Sequence, residues 1–377
     1  MQYSPDSNTV ATTDLGAYGR NLKKISSFIG PSVQLMAVVK ANAYGHGMVN
    51  CARTALVAGA SNLGVCFVSE GVTLRQAGIT APILVIGPEH PENLGAAVEH
   101  SLTIACPSFE MLDALEKVVD YRSSSCRIHV KVDTGMGRIG VTPDRAPELI
   151  EHARNTSGIY VEGIFTHFPS ADEDRDPFSK EQIRVFKILL TTLEQRGIRP
   201  EIAHMCNSAG TLKFPEAHLD LVRPGIMTYG LIPYPGSEET LVLEPVLSWK
   251  SRITFIKDVP DGFPVSYGST FVTKHPSRLA TVPVGYSHGY KRFLSNRGKA
   301  IVNGTTVPVT GRICMDQTVF DITEAGDVSV GDPIILIGSQ DTVRITVEDH
   351  ADIGGTISHE IVTGITGRVS RAVIPPA

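Results

Sequence analysis

The sequence predicts an α/β protein with an N-terminal (β/α)8 TIM barrel and a mostly β C-terminal domain. Over the first 235 or so residues, short apolar runs alternate with longer amphipathic stretches. Each run is hydrophobic throughout, which is typical of strands buried on both faces of a parallel sheet. After Pro235 the pattern changes to alternation with a period of two residues. An open doubly wound sheet is the alternative, but no G-x-G-x-x-G motif follows an early strand, so we favour the barrel.

The barrel elements follow from hydrophobic periodicity. The predicted strands are Val33–Val39, Asn62–Phe67, Ile83–Ile86, Leu102–Ala105, Arg127–Val132, Tyr160–Thr166, Glu201–His204 and Leu219–Val222. Apolar residues recur every three or four positions in the segments between them, which indicates helices. These helical segments cover residues 47–58, 69–77, 91–99, 108–119, 145–155, 178–196 and 207–213. An extra helix, Asp14–Phe28, precedes the first strand.

The C-terminal part predicts a β domain of about 140 residues. Residues 246–257, 280–286 and 299–311 alternate between polar and apolar side chains, and Asn303-Gly304 is a pair that favours a tight hairpin turn. We therefore expect a barrel domain at residues 1–238 and a β domain at residues 239–377.

Composition and charge exclude several classes of protein. A hydrophobic fraction of 42% and a charged fraction of 19% are ordinary for a globular chain, and a net charge of −5 argues against nucleic acid and anionic membranes as partners. The first residues do not resemble a signal peptide, and the apolar runs are too short to span a membrane. The six cysteines have no spacing suited to zinc, so we expect no metal. These features predict a cytoplasmic protein with reduced thiols.

Candidate site residues stand at the C-terminal ends of the predicted strands, where barrel enzymes carry out their chemistry. They are Lys40, Tyr44, His46, Lys131, Asp133, Arg138, His167, His204, Asn207, Ser208 and Arg223. Lys40 ends the apolar run 35–39, where a charge is costly to bury, and a neutral amine is the form that Schiff-base chemistry requires. The alternative is a structural lysine whose ammonium group reaches solvent.

Two segments after the last strands suggest a phosphate site. Asn207 and Ser208 open a predicted helix, and Gly225 follows Arg223 where the backbone could approach a ligand closely. Helix N-termini after the seventh and eighth strands commonly hold phosphate in barrels. Opposite a Schiff-base lysine, such a site suggests pyridoxal 5'-phosphate. Taken alone, Ser208 is an ordinary N-cap and Gly225 an ordinary turn residue.

Over essentially its whole length the chain resembles the alanine racemases, which are fold-type III pyridoxal-phosphate amino-acid racemases. The resemblance rests on ordered motifs. These are A-V-V-K-A-N-A-Y-G-H-G (37–47), H-V-K-V-D-T-G-M-G-R-I-G (129–140), F-T-H-F (165–168), N-S-A (207–209), V-R-P-G-I-M-T-Y-G (222–230), V-S-Y-G (265–268), V-P-V-G-Y (282–286) and G-R-I-C-M-D-Q (311–317).

The resemblance implies a racemase that interconverts L- and D-alanine with two bases. Lys40 and Tyr267 would act on opposite faces of the substrate–cofactor adduct, because a single base tends to return the proton to the side that it left. A phenol ordinarily keeps its proton at neutral pH, and in the family His167 assists Tyr267 and leads towards Arg223. Arg223 would face the pyridine nitrogen; because a guanidinium stays protonated, that nitrogen would stay unprotonated, which disfavours transamination.

The resemblance also implies binding residues and an assembly. The implied cofactor-binding residues are Lys40, Tyr44, His167, Asn207, Ser208, Arg223, Gly225 and Ile226. Arg138 and the Met315 N–H would receive the substrate carboxylate. Lys131 would be carbamylated and fix Arg138, with pairing to Asp133 as the alternative. The family forms homodimers, in which Tyr267 and Met315 complete the active site of the other subunit.

The chain departs from the family pattern at Gly367, where alanine racemases usually carry a tyrosine that touches the phosphate and narrows the substrate entrance. We therefore expect a site less strict for alanine, which accepts serine or a larger amino acid, unless a neighbouring residue fills the space. His288 replaces a commoner aspartate and has no assigned role. D-alanine biosynthesis and amino-acid breakdown both remain open as cellular roles.

Two rival functions remain. A basic-amino-acid decarboxylase shares the fold but favours an acidic partner for the pyridine nitrogen, against Arg223. A non-catalytic pyridoxal-phosphate carrier resembles the barrel alone and would not need the domain that carries Tyr267.

Overall fold

The computed structural model describes residues 8–173 and 177–376. By its internal contacts the chain divides into two units. The barrel unit comprises Tyr18–Ala43 and Gly47–Glu244, and the β unit comprises Met1–Ala17, Tyr44–His46 and Pro245–Ala377. Within the described ranges, no helix is both long and apolar enough to cross a membrane.

The first strand and helix lead from one unit into the other. Strand β1 (Thr9–Asp14) belongs to the β unit, and helix α1 (Leu15–Ile29) runs from there into the barrel unit. The Asp14 carboxylate accepts a hydrogen bond from the Ala17 N–H at 2.9 Å, so Asp14 satisfies a free donor at the start of this helix. The extra helix predicted over Asp14–Phe28 is therefore confirmed.

Eight parallel strands form the barrel unit. They are β2 (Gln34–Val38), β3 (Asn62–Val65), β4 (Ile83–Val85), β5 (Thr103–Cys106), β6 (Cys126–Lys131), β7 (Ile159–Phe165), β8 (Ile202–His204) and β9 (Leu221–Val222). They hydrogen-bond in the order β8-β7-β6-β5-β4-β3-β2-β9. The Asp220 N–H bonds the Ala203 carbonyl at 3.1 Å, and the Arg223 N–H bonds the Cys206 carbonyl at 3.0 Å, so the two edges meet. The predicted barrel is confirmed, and each strand ends within two residues of its predicted bounds.

Helices alternate with these strands as predicted. They are α2 (Met48–Val57), α3 (Val68–Gln76), α4 (Leu94–Glu99), α5 (Phe109–Arg122), α6 (Ala146–Asn155), α7 (Pro177–Gln195), α8 (Ser208–Lys213) and α9 (Ser237–Thr240). In α7 the buried Ile183, Phe186, Leu190 and Leu193 recur every three or four residues and form one apolar face.

The remaining strands and two helices form the β unit. They are β10 (Leu247–Arg252), β11 (Phe255–Val259), β12 (Pro264–Val265), β13 (Phe271–Val272), β14 (Ser277–Val282), β15 (Lys299–Val302), β16 (Thr305–Pro308), β17 (Thr318–Asp321), β18 (Pro333–Gln340), β19 (Val343–Ile345), α10 (Val347–Gly354), α11 (Ser358–Thr363) and β20 (Ser370–Ile374). The predicted hairpin is confirmed: Asn303 and Gly304 have φ of 48° and 72° and join β15 to β16.

The N-terminal strand differs from the expected division, which placed residues 1–238 together in the barrel domain. Strand β1 pairs antiparallel with β10 and parallel with β20. The buried Trp249 indole N–H donates to the Thr9 hydroxyl at 2.9 Å. Because the partners of β1 lie more than 200 positions away, local periodicity contains no information about this pairing.

Candidate active site

Lys40 lies at the C-terminal end of β2 and begins a turn of unusual backbone conformation. Ala41, Asn42, Ala43 and Tyr44 have φ between 52° and 54°, in the left-handed region. A residue with a Cβ loses roughly 1–2 kcal/mol in this conformation, and four such residues follow one another here. Strain of this kind persists only where surrounding contacts enforce it, and it is concentrated at functional sites.

Hydrogen bonds from helices α2 and α3 hold this turn. The Ala41 N–H donates to Glu70 Oε1 at 2.6 Å, and Glu70 Oε2 accepts from the Cys66 N–H at 2.7 Å. The Asn42 side-chain oxygen accepts from the Met48 N–H at 2.9 Å. Glu70 was not among the predicted site residues. It fixes the residue next to Lys40 and so limits the directions in which the lysine can extend.

Arg223 follows β9 and is buried with four polar contacts. Its Nη1 lies 2.6 Å from His204 Nδ1, and its Nη2 donates to the carbonyls of Thr166 at 2.8 Å and Met205 at 3.2 Å. Nη2 also lies 3.2 Å from His167 Nδ1. The structure thus brings three of the predicted candidate residues together: His167, His204 and Arg223.

Arg223 remains a cation at neutral pH. Burial lowers the pKa of its guanidinium to about 10, still well above 7. Its guanidinium carbon lies 5.3 Å from the centre of the Phe165 ring, a favourable cation–π distance. Since an arginine can only donate hydrogen bonds, Nδ1 of His204 and Nδ1 of His167 must both act as acceptors towards it.

Lys131 and His167 lie in a region of excess positive charge. Lys131 is 1% exposed, and its Nζ donates to the Val132 carbonyl at 2.8 Å. Burial, and then Arg223, lower the pKa of Lys131 to about 7. Burial, followed by the charges of Arg223, Lys131, Arg138 and Lys40, holds the pKa of His167 well below its ordinary value.

Asp133 is the nearby carboxylate, and backbone donors already contact it. Its Oδ1 accepts from the N–H groups of Gly135 at 2.9 Å and Gly137 at 3.1 Å. Glu70, beside Lys40, likewise accepts from backbone N–H groups. The several cations outnumber these two carboxylates and leave a positive potential that attracts anionic ligands.

The predicted phosphate-binding residues that follow β8 and β9 form one cluster. Ser208 Oγ accepts from the N–H groups of Gly225 at 2.9 Å and Met227 at 3.3 Å. Asn207 caps helix α8 by accepting from the Gly210 N–H at 2.9 Å. Ile226 begins a 3-10 turn that runs from Ile226 to Tyr229. The N-terminus of α8 and the turn after β9 are therefore in direct contact, as expected of a phosphate site.

The other predicted residues belong to the β unit. Tyr267 is 71% exposed, and the preceding Ser266 has a φ of 61° and donates from its hydroxyl to the Arg312 carbonyl at 2.5 Å. Tyr44 is buried, and its ring centre lies 5.8 Å from that of His359.

Met315 lies on a loop that close backbone contacts fix. It is 54% exposed, and its carbonyl accepts from the Ser287 hydroxyl at 2.7 Å. A Cβ at Gly285 would lie 2.3 Å from the Cys314 carbonyl oxygen, so only glycine fits there. In contrast, a Cβ at Gly367 would have no heavy atom within 4 Å.

Comparison with known proteins gives matches over nearly the whole chain. Residues 13–233 match the family model described as alanine racemase, N-terminal domain, and residues 246–373 match alanine racemase, C-terminal domain. An alanine racemase from Halothermothrix orenii is 43% identical over 96% of both chains. Alanine racemase 2 from Caldanaerobacter subterraneus subsp. tengcongensis is 41% identical over 97% of this chain and 95% of its own.

Solved structures agree with these matches. The alanine racemase from Bacillus anthracis with bound L-Ala-P superposes with a TM-score of 0.92 at 37% identity, covering 100% of this chain and 96% of the other. The alanine racemase from the D-cycloserine producer Streptomyces lavendulae has a TM-score of 0.92 at 36% identity, covering 99% and 98%.

Proposed function

The chain belongs to the alanine racemase family of isomerases, and from this premise we propose that it interconverts L- and D-alanine with pyridoxal 5'-phosphate by a two-base mechanism. We further propose that it works in the cytoplasm as a homodimer. The observation that carries the proposal is the group of cations around His167 in the barrel unit, to which Lys40 belongs, together with the Ser208–Gly225 cluster.

The residues present fit the cofactor. Burial, and then the charges of Arg223, Lys131, Arg138 and Lys40, lower the pKa of His167. Four cations that act on one side chain favour an anion such as a phosphate or a carboxylate at this site. Ser208 offers a hydroxyl within 2.9 Å of the Gly225 N–H. We propose that Tyr44, Asn207, Ser208, Gly225 and Ile226 hold the phosphate group and that Arg223 faces the pyridine nitrogen. When bound, pyridoxal phosphate withdraws electrons from the α-carbon of its attached amino acid and so acidifies the α-hydrogen.

Two side chains would then exchange the proton at the α-carbon. The Lys40 amine takes a proton from one face, and the phenol oxygen of Tyr267 from a second copy of the chain supplies one to the other face. The strained turn after Lys40 directs the amine, which keeps it on its own face. His167 accepts from Arg223 at Nδ1, so a neutral His167 carries its hydrogen on Nε2 and can donate it to the tyrosine oxygen.

Arg223 would restrict the reaction to racemisation. It is buried, it stays charged at neutral pH, and it has no proton that it gives up readily. It would therefore offer a pyridine nitrogen a hydrogen bond and no proton. By withholding a proton from that position, Arg223 would favour return of the proton to the α-carbon.

We propose that Lys131 is carbamylated. Its pKa of about 7 leaves much of the amine neutral at physiological pH. The neutral Nζ can attack the carbon of carbon dioxide and release one proton, which converts the neutral amine into an anionic carbamate. Counted from the ammonium form, two protons are released in all. The negative group would relieve repulsion from Arg223 and Arg138 and fix Arg138 for the substrate carboxylate, together with the Met315 N–H. Intact-mass measurement in bicarbonate and in bicarbonate-free buffer, on wild type and Lys131→Met, tests this step.

Gly367 supports a second candidate function, a racemase that also accepts serine. A Cβ added there meets no heavy atom within 4 Å, and the backbone is not left-handed, so nothing at the Cβ position blocks a side chain. An extra substrate group is discriminated by only about 1–3 kcal/mol in a tight pocket, and by less in a looser one. The test compares kcat/KM for alanine and serine in wild type and Gly367→Tyr. Equal ratios in the two proteins would contradict the broader specificity.

The main experiment is a chiral racemisation assay from both enantiomers of alanine. Lys40→Ala should abolish activity in both directions, and Tyr267→Phe should lower kcat strongly while cofactor binding persists. Solvent deuterium should enter the α-position of both enantiomers in wild type. A wild-type protein that binds the cofactor yet never exchanges this hydrogen would indicate the carrier function instead.

A further inference from the structure

A chain of four polar side chains crosses the interior of the barrel unit from Arg223 to Glu162. Arg223 Nη1 contacts His204 Nδ1 at 2.6 Å, and His204 Nε2 contacts His129 Nδ1 at 2.8 Å. His129 Nε2 contacts Glu162 Oε2 at 3.2 Å. Both imidazoles are fully buried, at 0% and 1% exposure. We name this series Arg223–His204–His129–Glu162 the relay.

The donor-only character of Arg223 at one end and the acceptor carboxylate of Glu162 at the other together fix every proton in the relay. Because Arg223 must donate, His204 Nδ1 carries no hydrogen, and the neutral ring holds its hydrogen on Nε2. His204 Nε2 then donates to His129 Nδ1, so His129 also carries its hydrogen on Nε2. That hydrogen points at the Glu162 carboxylate, a natural acceptor. Burial, which lowers the pKa of both histidines, agrees with two neutral rings between a cation and an anion.

Close packing locks both rings in place. The His204 ring stacks parallel to Phe165, with centres 4.9 Å apart and an interplanar angle of 1°. A Cβ at position 163 would lie 2.5 Å from His129 Nδ1, so Gly163 provides the room in which this ring sits. The rings therefore cannot turn freely, and their hydrogen-bonding pattern is set by the fold.

The Glu162 end reaches solvent at the N-terminal ends of the strands. Its side chain is 20% exposed, and Arg127 Nε lies 3.4 Å from it. Glu162 borders a cleft of 430 Å³ that is also lined by Thr103, Tyr160 and Glu201. The bond from His129 holds the pKa of Glu162 below its usual value, so the relay ends in a hydrated, ionised carboxylate.

We propose that His129 and Glu162 are positioning residues for Arg223, acting through His204. Glu162 fixes the hydrogen of His129 on Nε2, His129 in turn fixes that of His204, and His204 can then only accept from Arg223. The role for catalysis rests on the proposed function of Arg223 at the pyridine nitrogen. Without Glu162 the hydrogen of His129 can move to Nδ1, where it opposes the hydrogen of His204. His204 then loses its acceptor, and Arg223 loses its shortest contact.

Three variants separate the parts of this proposal. Glu162→Gln removes the charge but keeps an oxygen that accepts from His129. Glu162→Leu removes both the charge and the acceptor. Tyr160→Phe is the matched control on the same strand, because Tyr160 donates to Glu201 beside the same cleft and lies outside the relay.

The first readout is nitrogen-15 NMR of histidine side chains in the isolated enzyme, with His129→Gln and His204→Gln for assignment. In wild type, Glu162→Gln and Tyr160→Phe, both rings should be neutral with hydrogen on Nε2. In Glu162→Leu the His129 signals should shift towards a mixture of the two neutral forms. A wild-type ring that is protonated or carries its hydrogen on Nδ1 would overturn the relay, and so would a Glu162→Leu spectrum like that of wild type.

The second readout is steady-state alanine racemisation. In metal enzymes, mutating a residue that orients a metal ligand typically lowers activity by about 10–100-fold. We expect a fall in kcat of this size for Glu162→Leu, with little change in KM. Glu162→Gln should stay within a few-fold of wild type, as Tyr160→Phe should. A Glu162→Leu enzyme as active as Tyr160→Phe would overturn the catalytic role. If wild type itself does not racemise alanine, the proposed function fails, whereas the NMR result still decides the relay.

Discussion

Replacing alanine by glycine should stabilise the fold in the left-handed turn after Lys40 and destabilise it in the middle of a helix. Ala41 has a φ of 52°, its side chain is exposed, and its N–H bonds Glu70. Ala41→Gly removes no packing and retains that hydrogen bond. Ala114 lies in the middle of helix α5, in right-handed conformation. Ala114→Gly is therefore the matched control.

The magnitudes follow from the backbone angles. Left-handed backbone costs alanine roughly 1–2 kcal/mol that glycine does not lose. The greater freedom of glycine in the unfolded chain offsets about 0.5–1 kcal/mol of this gain. Ala41→Gly should therefore stabilise the fold by about 0.5–1 kcal/mol, whereas Ala114→Gly should destabilise it by about 1 kcal/mol. The same strain positions Lys40, so kcat of Ala41→Gly should fall several-fold.

Thermal unfolding at fixed protein and cofactor concentrations measures the first effect, and alanine racemisation measures the second. The melting temperature should rise by about 1–3 °C in Ala41→Gly and fall by a similar amount in Ala114→Gly. If both variants lose stability equally, the left-handed conformation does not strain Ala41. If Ala41→Gly gains stability with an unchanged kcat, the strain has no part in directing Lys40.

Three further predictions concern the cation-rich site. The pKa of Lys131 is about 7 in the folded protein, so between pH 7 and 10.5 the unfolded chain binds more protons than the folded one. In bicarbonate-free buffer the free energy of unfolding should therefore rise with pH across this window. Melting curves of Lys131→Met should lack that rise. Ser208→Ala leaves the Gly225 N–H without its acceptor and should weaken pyridoxal phosphate binding about tenfold, roughly 1.4 kcal/mol, by equilibrium dialysis; unchanged affinity would place the phosphate elsewhere. Arg223→Lys cannot reproduce the contacts of both terminal nitrogens and should lower kcat at least tenfold, and wild-type kinetics would rule out orientation by the guanidinium fork.

The sequence predicted the barrel well because its strands are contiguous apolar runs whose partners follow in chain order. Strand β1 escaped prediction because it pairs with β10 and β20 from the far end of the chain. The turn after Lys40 escaped for a different reason. Ala41, Asn42 and Ala43 have no glycine among them, so residue preference points to right-handed or extended backbone. Contacts from Glu70 and Met48 override that preference.

Site residues that lie at the end of a predicted strand could be predicted from the sequence. Site residues that lie within a strand could not. Lys131, His167, Ser208 and Arg223 all follow or end apolar runs. His129 stands two residues before Lys131, on the same face of β6, but nothing local distinguishes it from a core histidine. Its contact with His204 depends on the distance across the barrel, a property that only the closed fold defines.

Arg223 and Lys131 are buried cations of the barrel unit, and each needs compensation for its charge. Arg223 has an anion within its own hydrogen-bond series, since two neutral imidazoles connect it to Glu162. Lys131 donates to a backbone carbonyl, and the carboxylate beside it, Asp133, is occupied by backbone N–H groups. An arginine cannot shed its charge and so requires a partner built into the fold. A lysine can lose its charge, and the proposed carbamate would be the corresponding solution at Lys131, whose pKa is about 7.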